Sequence, residues 1–254
     1  MYSREQAFRP AEALIRSGEY PHPRQPEAPP PPSFTIALSR EAGSGGTLVA
    51  REVGRRLNWP VYDNELLDHL AKELHVDVDQ LESVDERRSS WLVECVEAFA
   101  AASTVTEVTY FRRLLKLFLA LGARGQCIIV GRGAMIALPD DTTLRVRVVA
   151  SREDRVALIG RERGLNPTEA ARYVESTDRE RSRFIRLHFR KDLTDPLLYD
   201  LVLNASRLSV EECASIVIET LLRLQARNAS AKQGLVPSRE SGVERQLDQL
   251  STLP

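Results

Sequence analysis

Ile36-Ala37-Leu38-Ser39-Arg40-Glu41-Ala42-Gly43-Ser44-Gly45-Gly46-Thr47-Leu48-Val49-Ala50 reads as a buried strand, a turn of small residues and a helix opening near Thr47. The order of these pieces carries more information than the glycines. Glycine lets successive backbone N–H groups turn inward without a Cβ in the way, and the helix N-terminus behind them adds partial positive charge, so the turn favours an anion such as phosphate. The competing reading is a tight strand-to-helix connection in an unrelated α/β protein. The rest of the chain must decide between them.

Laid on the phosphate-loop pattern GxxxxGK[ST], the segment puts Arg40 at the first glycine, Gly45 at the second, Gly46 at the lysine and Thr47 at the hydroxyl position. Two of the four defining residues are replaced. The lysine normally follows a transferring phosphoryl group and neutralises its developing charge. None of the four lysines, Lys72, Lys116, Lys191 and Lys232, is near the loop in sequence. Arg40, just before the turn, is the candidate for part of that role.

Beyond the loop, short apolar runs alternate with segments of helical period, the pattern of strands joined by helical crossovers. Expected strands are Phe34 to Ser39, Pro60 to Asp63, Cys127 to Gly131, Leu144 to Ala150 and Tyr199 to Asn204. Several are almost wholly apolar, as strands covered on both faces of a parallel sheet should be. Expected helices are Thr47 to Leu57, Asn64 to Leu74, Glu86 to Ala101 and Glu107 to Leu121. Three more have start signals at Ser151, at Asn166-Pro167 and at the capping-box spacing Ser209 to Glu212. Gly122 and Gly164 sit where helix stops are expected.

Residues 21–33 hold seven of the 14 prolines and read as a linker. With residues 1–20 they make an N-terminal extension, 1–33, expected to be disordered. The Ser-, Gln- and Gly-rich residues 228–254 read as a flexible tail, leaving 34–227 as one domain. A formal charge of -1, from 35 basic and 36 acidic residues, gives no global reason to expect nucleic acid or an anionic membrane. No stretch is long and apolar enough to span a bilayer, and the N-terminus has no apolar signal region, so the expectation is a cytoplasmic protein. The three cysteines, Cys95, Cys127 and Cys213, show no metal-ligand spacing and read as reduced core thiols.

From Arg172 to Lys191 the chain carries seven basic residues against three acids. In a helix, Arg172, Arg179, Arg183, Arg186 and Arg190 share one face, with Phe184, Leu187 and Tyr173 turned toward the core. Such a face offers planar guanidinium forks to phosphate. The bland alternative is a solvated helix with pairs such as Glu175 and Arg179. The phosphate loop upstream favours a phosphate-closing lid. His188 is expected to pack rather than to move protons, and Trp59 and Trp91 to belong to core or interface rather than to stack bases.

Three segments complete a pattern: SREAGSGGTLVAREVGRRLNWPVYDNELL, CIIVGRGAMIALP, and TDRERSRFIRLHF with DPLLYDLVLNASRLSVEE. In this order they resemble the cytidylate kinase-like family over nearly all of residues 34–220. The resemblance implies a nucleoside monophosphate kinase fold of the P-loop NTPase type. That fold is a three-layer α/β sandwich with a five-stranded parallel sheet and a helical lid, here about residues 165–192. It also implies ATP and Mg²⁺, with transfer to a nucleoside monophosphate, CMP or dCMP first. Gly43, Ser44, Gly45, Gly46 and Thr47 would hold the donor phosphates and the Thr47 hydroxyl the Mg²⁺. Arg40, Arg179, Arg183 and Arg186 would act on the reacting phosphates, and Asp63, Arg132 and Asp178 would contact the acceptor. In cytidylate kinases a GRD segment helps to hold the pyrimidine nucleotide; Gly131-Arg132-Gly133 keeps the arginine and lacks the aspartate. The family commonly carries GSGG where kinases have a GK pair. A catalytically silent nucleotide-binding module and a kinase for another small acceptor are the alternatives.

Overall fold

The structure, a computed structural model, describes residues 33–64, 66–67 and 105–232. Five parallel strands form one sheet in the order β2-β3-β1-β4-β5: β1 Thr35–Arg40, β2 Val61–Tyr62, β3 Cys127–Val130, β4 Thr143–Val149 and β5 Leu201–Asn204. Each lies within two residues of its expected bounds. Tyr199, expected in the last strand, precedes it; its hydroxyl donates to Leu193 O at 3.0 Å.

The helices are α1 Gly46–Leu57, α2 Val105–Arg124, α3 Ala134–Ala137, α4 Arg152–Arg163, α5 Pro167–Phe189 and α6 Val210–Lys232. The capping signals operate as written. Ser151 Oγ accepts from Asp154 N at 3.2 Å, and Asn166 and Glu169 exchange side-chain and backbone bonds at 3.0 and 3.2 Å. Ser209 and Glu212 do the same at 2.8 and 3.1 Å. Each satisfies donors that a helix start otherwise leaves unpaired. Gly164 ends α4 at φ 65°, the left-handed conformation that favours glycine.

Gly122 is not a stop. It lies inside α2, where a Cβ would come within 2.5 Å of Leu138 Cδ2, so it serves close packing; the left-handed Gly125, φ 64°, follows the helix instead. The helix expected from Asn64 shows its first turn at Asn64, Leu66 and Leu67, while Glu86 to Ala101 lies outside the described residues. So do residues 1–32 and 233–254, and, within 68–104, Cys95 and Trp91. Helix α6 runs to Lys232, five residues past the boundary expected at 227.

Alternation along β1 builds two cores. Ala37 joins Tyr62, Phe111, Phe118, Ile129, Ile185 and Phe189 on one face; Ile36 and Leu38 join Val49, Val53, Val146, Val148 and Val217 on the other. Trp59 is buried in the second core, as expected. Cys127 and Cys213 are buried free thiols, and burial pushes Cys127 up to about 12, which keeps it inert. Among the described residues no helix is long and apolar enough to cross a membrane.

Candidate active site

Strand order reverses around β1, so the crevice beyond its C-terminal end is the switch point where open α/β sheets take ligands. The turn after β1 occupies it. Glu41 N donates to Val148 O at 3.1 Å, and the Ser44 hydroxyl to Glu41 O at 2.9 Å and Val148 O at 3.2 Å. Ser44 is therefore a loop fastener, its hydroxyl already committed. Gly43 and Gly45 are left-handed, φ 76° and 74°. A Cβ at Gly43 would sit 2.4 Å from Arg155 O, whereas the same place at Gly45 is open. Helix α1 starts without a side-chain cap and without an acidic residue in its first turn, leaving its N-terminal field for an external anion. The half-buried Thr47 is its second residue.

Two cavities flank this turn. One, about 370 Å³, lies between the loop glycines, the α4 face carrying Leu158 and Arg161, and the Ala205 to Val210 connection. The other, about 170 Å³, is lined by Arg40, Asn64, Arg132, Glu180, Arg181 and Phe184. Arg40, Arg132 and Arg181 come from β1, the turn after β3, and α5. Arg181 Nη1 donates to Arg40 O at 3.2 Å, and Arg132 lies over the Phe184 ring at 5.2 Å. Burial first, then the neighbouring Arg181 and Arg132, lowers Arg40 to about 9, while Asp63 pulls the other way. Arg181 is likewise lowered, by burial first. Three mutually repelling guanidinium groups on a small cavity make a site for an anion.

The expected residues are distributed unevenly between these features. Gly43, Ser44 and Gly45 border the larger cavity; Arg40 and Arg132 line the smaller one. Asp63 caps the turn at its own helix start, accepting from Leu66 N at 3.1 Å, and stays close enough to Arg40 to influence its charge. Asp178 does not face the cavity. Its Oδ1 accepts from Ala42 N at 2.8 Å and its Oδ2 pairs with Arg155, so both oxygens fasten α5 to the phosphate loop and α4. Arg179, Arg183 and Arg186 are exposed and line neither cavity.

The phase of α5 explains that difference. Ile185, His188 and Phe189 are buried, while Leu187, expected in the core, is 50% exposed. Stepping back four residues from Ile185 reaches Arg181, and eight reaches Thr177, which also lines the cavity. The apolar residues set the rotation of the helix; the arginine spacing traced its solvent face. His188 packs, with Nδ1 2.8 Å from Phe184 O and its ring stacked on Phe184 at 4.0 Å. The helix assigned as a lid is also anchored near its start, where Ala170 and Val174 pack on Ala42 and Ile159.

Residues not singled out from sequence support the loop from below. Glu41 accepts from Ala150 N at 3.2 Å and lies 3.7 Å from Arg147 and 3.5 Å from Arg155. Arg147 reaches Ser39 and Tyr199, each at 3.3 Å. The alternation of β4 carried one signal: Arg145 and Arg147 interrupt an otherwise apolar run.

The turn Gly131-Arg132-Gly133 is left-handed throughout, φ 86°, 54° and 86°. An aspartate at Gly133 would be strained, and its Cβ would meet the Phe189 ring at 2.3 Å. The missing carboxylate is thus built into the packing of α5.

A five-stranded parallel sheet with a glycine-rich turn at its switch point and helices on both faces defines an α/β fold of the nucleoside monophosphate kinase type. Within that class, the pattern of the Cytidylate kinase-like family matches residues 35–207, and the chain belongs to this family. Cytidylate kinase of Methanopyrus kandleri is 26% identical over 186 residues, covering 73% of this chain and 91% of that protein. Cytidylate kinase of Pyrobaculum islandicum is also 26% identical over 186 residues, covering 72% and 90%. Among solved structures, an uncharacterized protein from Eubacterium ventriosum aligns with a TM-score of 0.61 at 24% identity, over 75% of this chain and 99% of that one.

Proposed function

We propose that the protein transfers the γ-phosphoryl group of ATP to a nucleoside monophosphate, with CMP or dCMP as first acceptors. The carrying observation is the convergence of Arg40, Arg132 and Arg181 on a cavity beside the phosphate loop. The loop and the α1 N-terminus hold the donor phosphates, with the base between α4 and the Ala205 to Val210 connection. An acceptor phosphate oxygen forms the new P–O bond as the bond from the γ-phosphorus to the bridging oxygen breaks, leaving ADP and a nucleoside diphosphate. Such transfer is chiefly positioning and charge stabilisation, which arginines supply.

Mg²⁺ would neutralise charge on the donor phosphates when bound, and Thr47 is the hydroxyl that the chain offers to it. Among the described residues no group of three or more His, Cys, Asp or Glu could hold a metal. The residues present fit an ion carried in on the nucleotide.

A second reading, a nucleotide-binding module without turnover, is favoured by the absence of a loop lysine. ADP release measured with ATP and Mg²⁺, with and without each nucleoside monophosphate, separates the two. Acceptor-dependent ADP supports the kinase; nucleotide binding without it supports the silent module.

A further inference from the structure

Gly46 stands where the phosphate-loop pattern has lysine, and its missing side chain has a definite occupant. A Cβ there would lie 2.6 Å from Arg40 Cβ, 3.2 Å from Arg40 Cγ and 3.2 Å from Val148 Cβ. The stem of Arg40 therefore fills the ground a lysine at position 46 would start from. Its head ends against β3: Nη1 donates to Asn64 Oδ1 at 3.3 Å, and a Cβ at Gly131 would sit 2.4 Å from Nη1. Two glycines thus make room for one arginine, Gly46 beside its stem and Gly131 beside its head.

We propose that Arg40 is the cation of the phosphate loop, delivered from strand β1 instead of helix α1, and that it contacts the phosphoryl group passing between the two cavities. This rests on the kinase reading above. The Arg40 head lines the acceptor cavity, while its stem runs beside the first residue of α1, so one side chain spans the boundary that the phosphoryl group must cross. Among the described residues its one side-chain hydrogen bond goes to a neutral amide and its buried Nε has no partner. Donor capacity is left for an anion. The GSGG turn is then a relocated cation site: a lysine and an arginine cannot both be accommodated.

The test compares wild type with Arg40→Met, which keeps the stem and removes the charge, Arg40→Lys, Arg40→Gly, and the pair Arg40→Gly with Gly46→Lys. Circular dichroism and thermal melting check folding. Acceptor-dependent kcat is expected to fall about 100-fold or more in Arg40→Met. Arg40→Lys should retain more activity than Arg40→Met, and the paired variant should recover at least about tenfold over Arg40→Gly. A second readout needs no turnover: calorimetric binding of adenosine and cytidine joined through five phosphates should weaken at least about tenfold in Arg40→Met. Folded Arg40→Met that turns over and binds this probe like wild type overturns the Arg40 assignment alone. A paired variant no better than Arg40→Gly also overturns the relocation. Wild-type protein that neither turns over nor binds the probe overturns the kinase reading, and the assignment with it.

Discussion

Arg181 lines the smaller cavity because Ile185, one turn further along α5, and His188, two turns further, are buried, and its guanidinium donates to the Arg40 carbonyl. Replacing it with methionine keeps most of the stem and removes the charge. On the kinase reading the KM for the acceptor should rise about tenfold or more while the KM for ATP changes little, as steady-state kinetics with each substrate varied would measure. Arg40 adds a pH signature. It must be protonated to hold an anion, and burial with Arg181 and Arg132 lowers it to about 9, so activity should be full below that pH and fall as pH rises through it. The stability contribution has the opposite sign: above about 9 the unfolded chain holds a proton that the folded chain has released, so stability rises with pH there. At this scale the placement of Arg40, Arg132 and the loop glycines beside the two cavities was legible, because it follows from a strand end and a turn. Arg181 was not, because on a charged helix the rotation is set by a few buried residues rather than by the charges. The contacts of Asp178 were not legible for a related reason: a carboxylate in an arginine-rich segment has several partners within reach, and only the fold brings Ala42 N to it.

Elements were easier to read than the contacts between them. Strand bounds and caps follow from local chemistry, apolar runs and side chains that satisfy exposed N–H groups, and Ser151, Asn166 and Ser209 all cap as their spacing implies. Gly122 shows the limit, since a glycine that stops a helix and one that lets Leu138 approach look alike in sequence. Helix α5 depends on a local cap and a tertiary clamp. Asn166→Ala should cost about 1 kcal/mol in denaturant unfolding. Asp178→Ala, which strands Ala42 N and leaves Arg155 with Glu41 as its acidic partner, should cost about 1–3 kcal/mol and lower activity by loosening the phosphate loop. Restoring the aspartate of the GRD segment, Gly133→Asp, should destabilise by at least about 2 kcal/mol, because the backbone is left-handed and the Phe189 ring fills the space. Gly133→Asp as stable as wild type would show that Phe189 is not what excludes the carboxylate.

For the whole molecule, the order β2-β3-β1-β4-β5 brings together residues that are distant in sequence. The phosphate loop follows the central strand; its neighbours β3 and β4 deliver the Arg132 turn and the Ala150 support on either side. Helices α4 and α5 then wall one cavity each and are joined beneath the loop by Arg155 and Asp178. The sheet and its switch point were legible from the alternation of strand and helix; the clamp was not, since it ties Arg155 and Asp178 to Ala42, more than a hundred positions away in sequence. The central claim is transfer of a phosphoryl group between these two cavities. It is tested most directly by incubating the protein with γ-labelled ATP, Mg²⁺ and each nucleoside monophosphate, with an Arg132→Ala variant alongside to exclude a contaminating kinase. The account predicts label in a nucleoside diphosphate, in CDP or dCDP first, from wild type and at least about tenfold less from the variant. Label that never leaves ATP for any nucleoside monophosphate, while the protein still binds nucleotide, would contradict it.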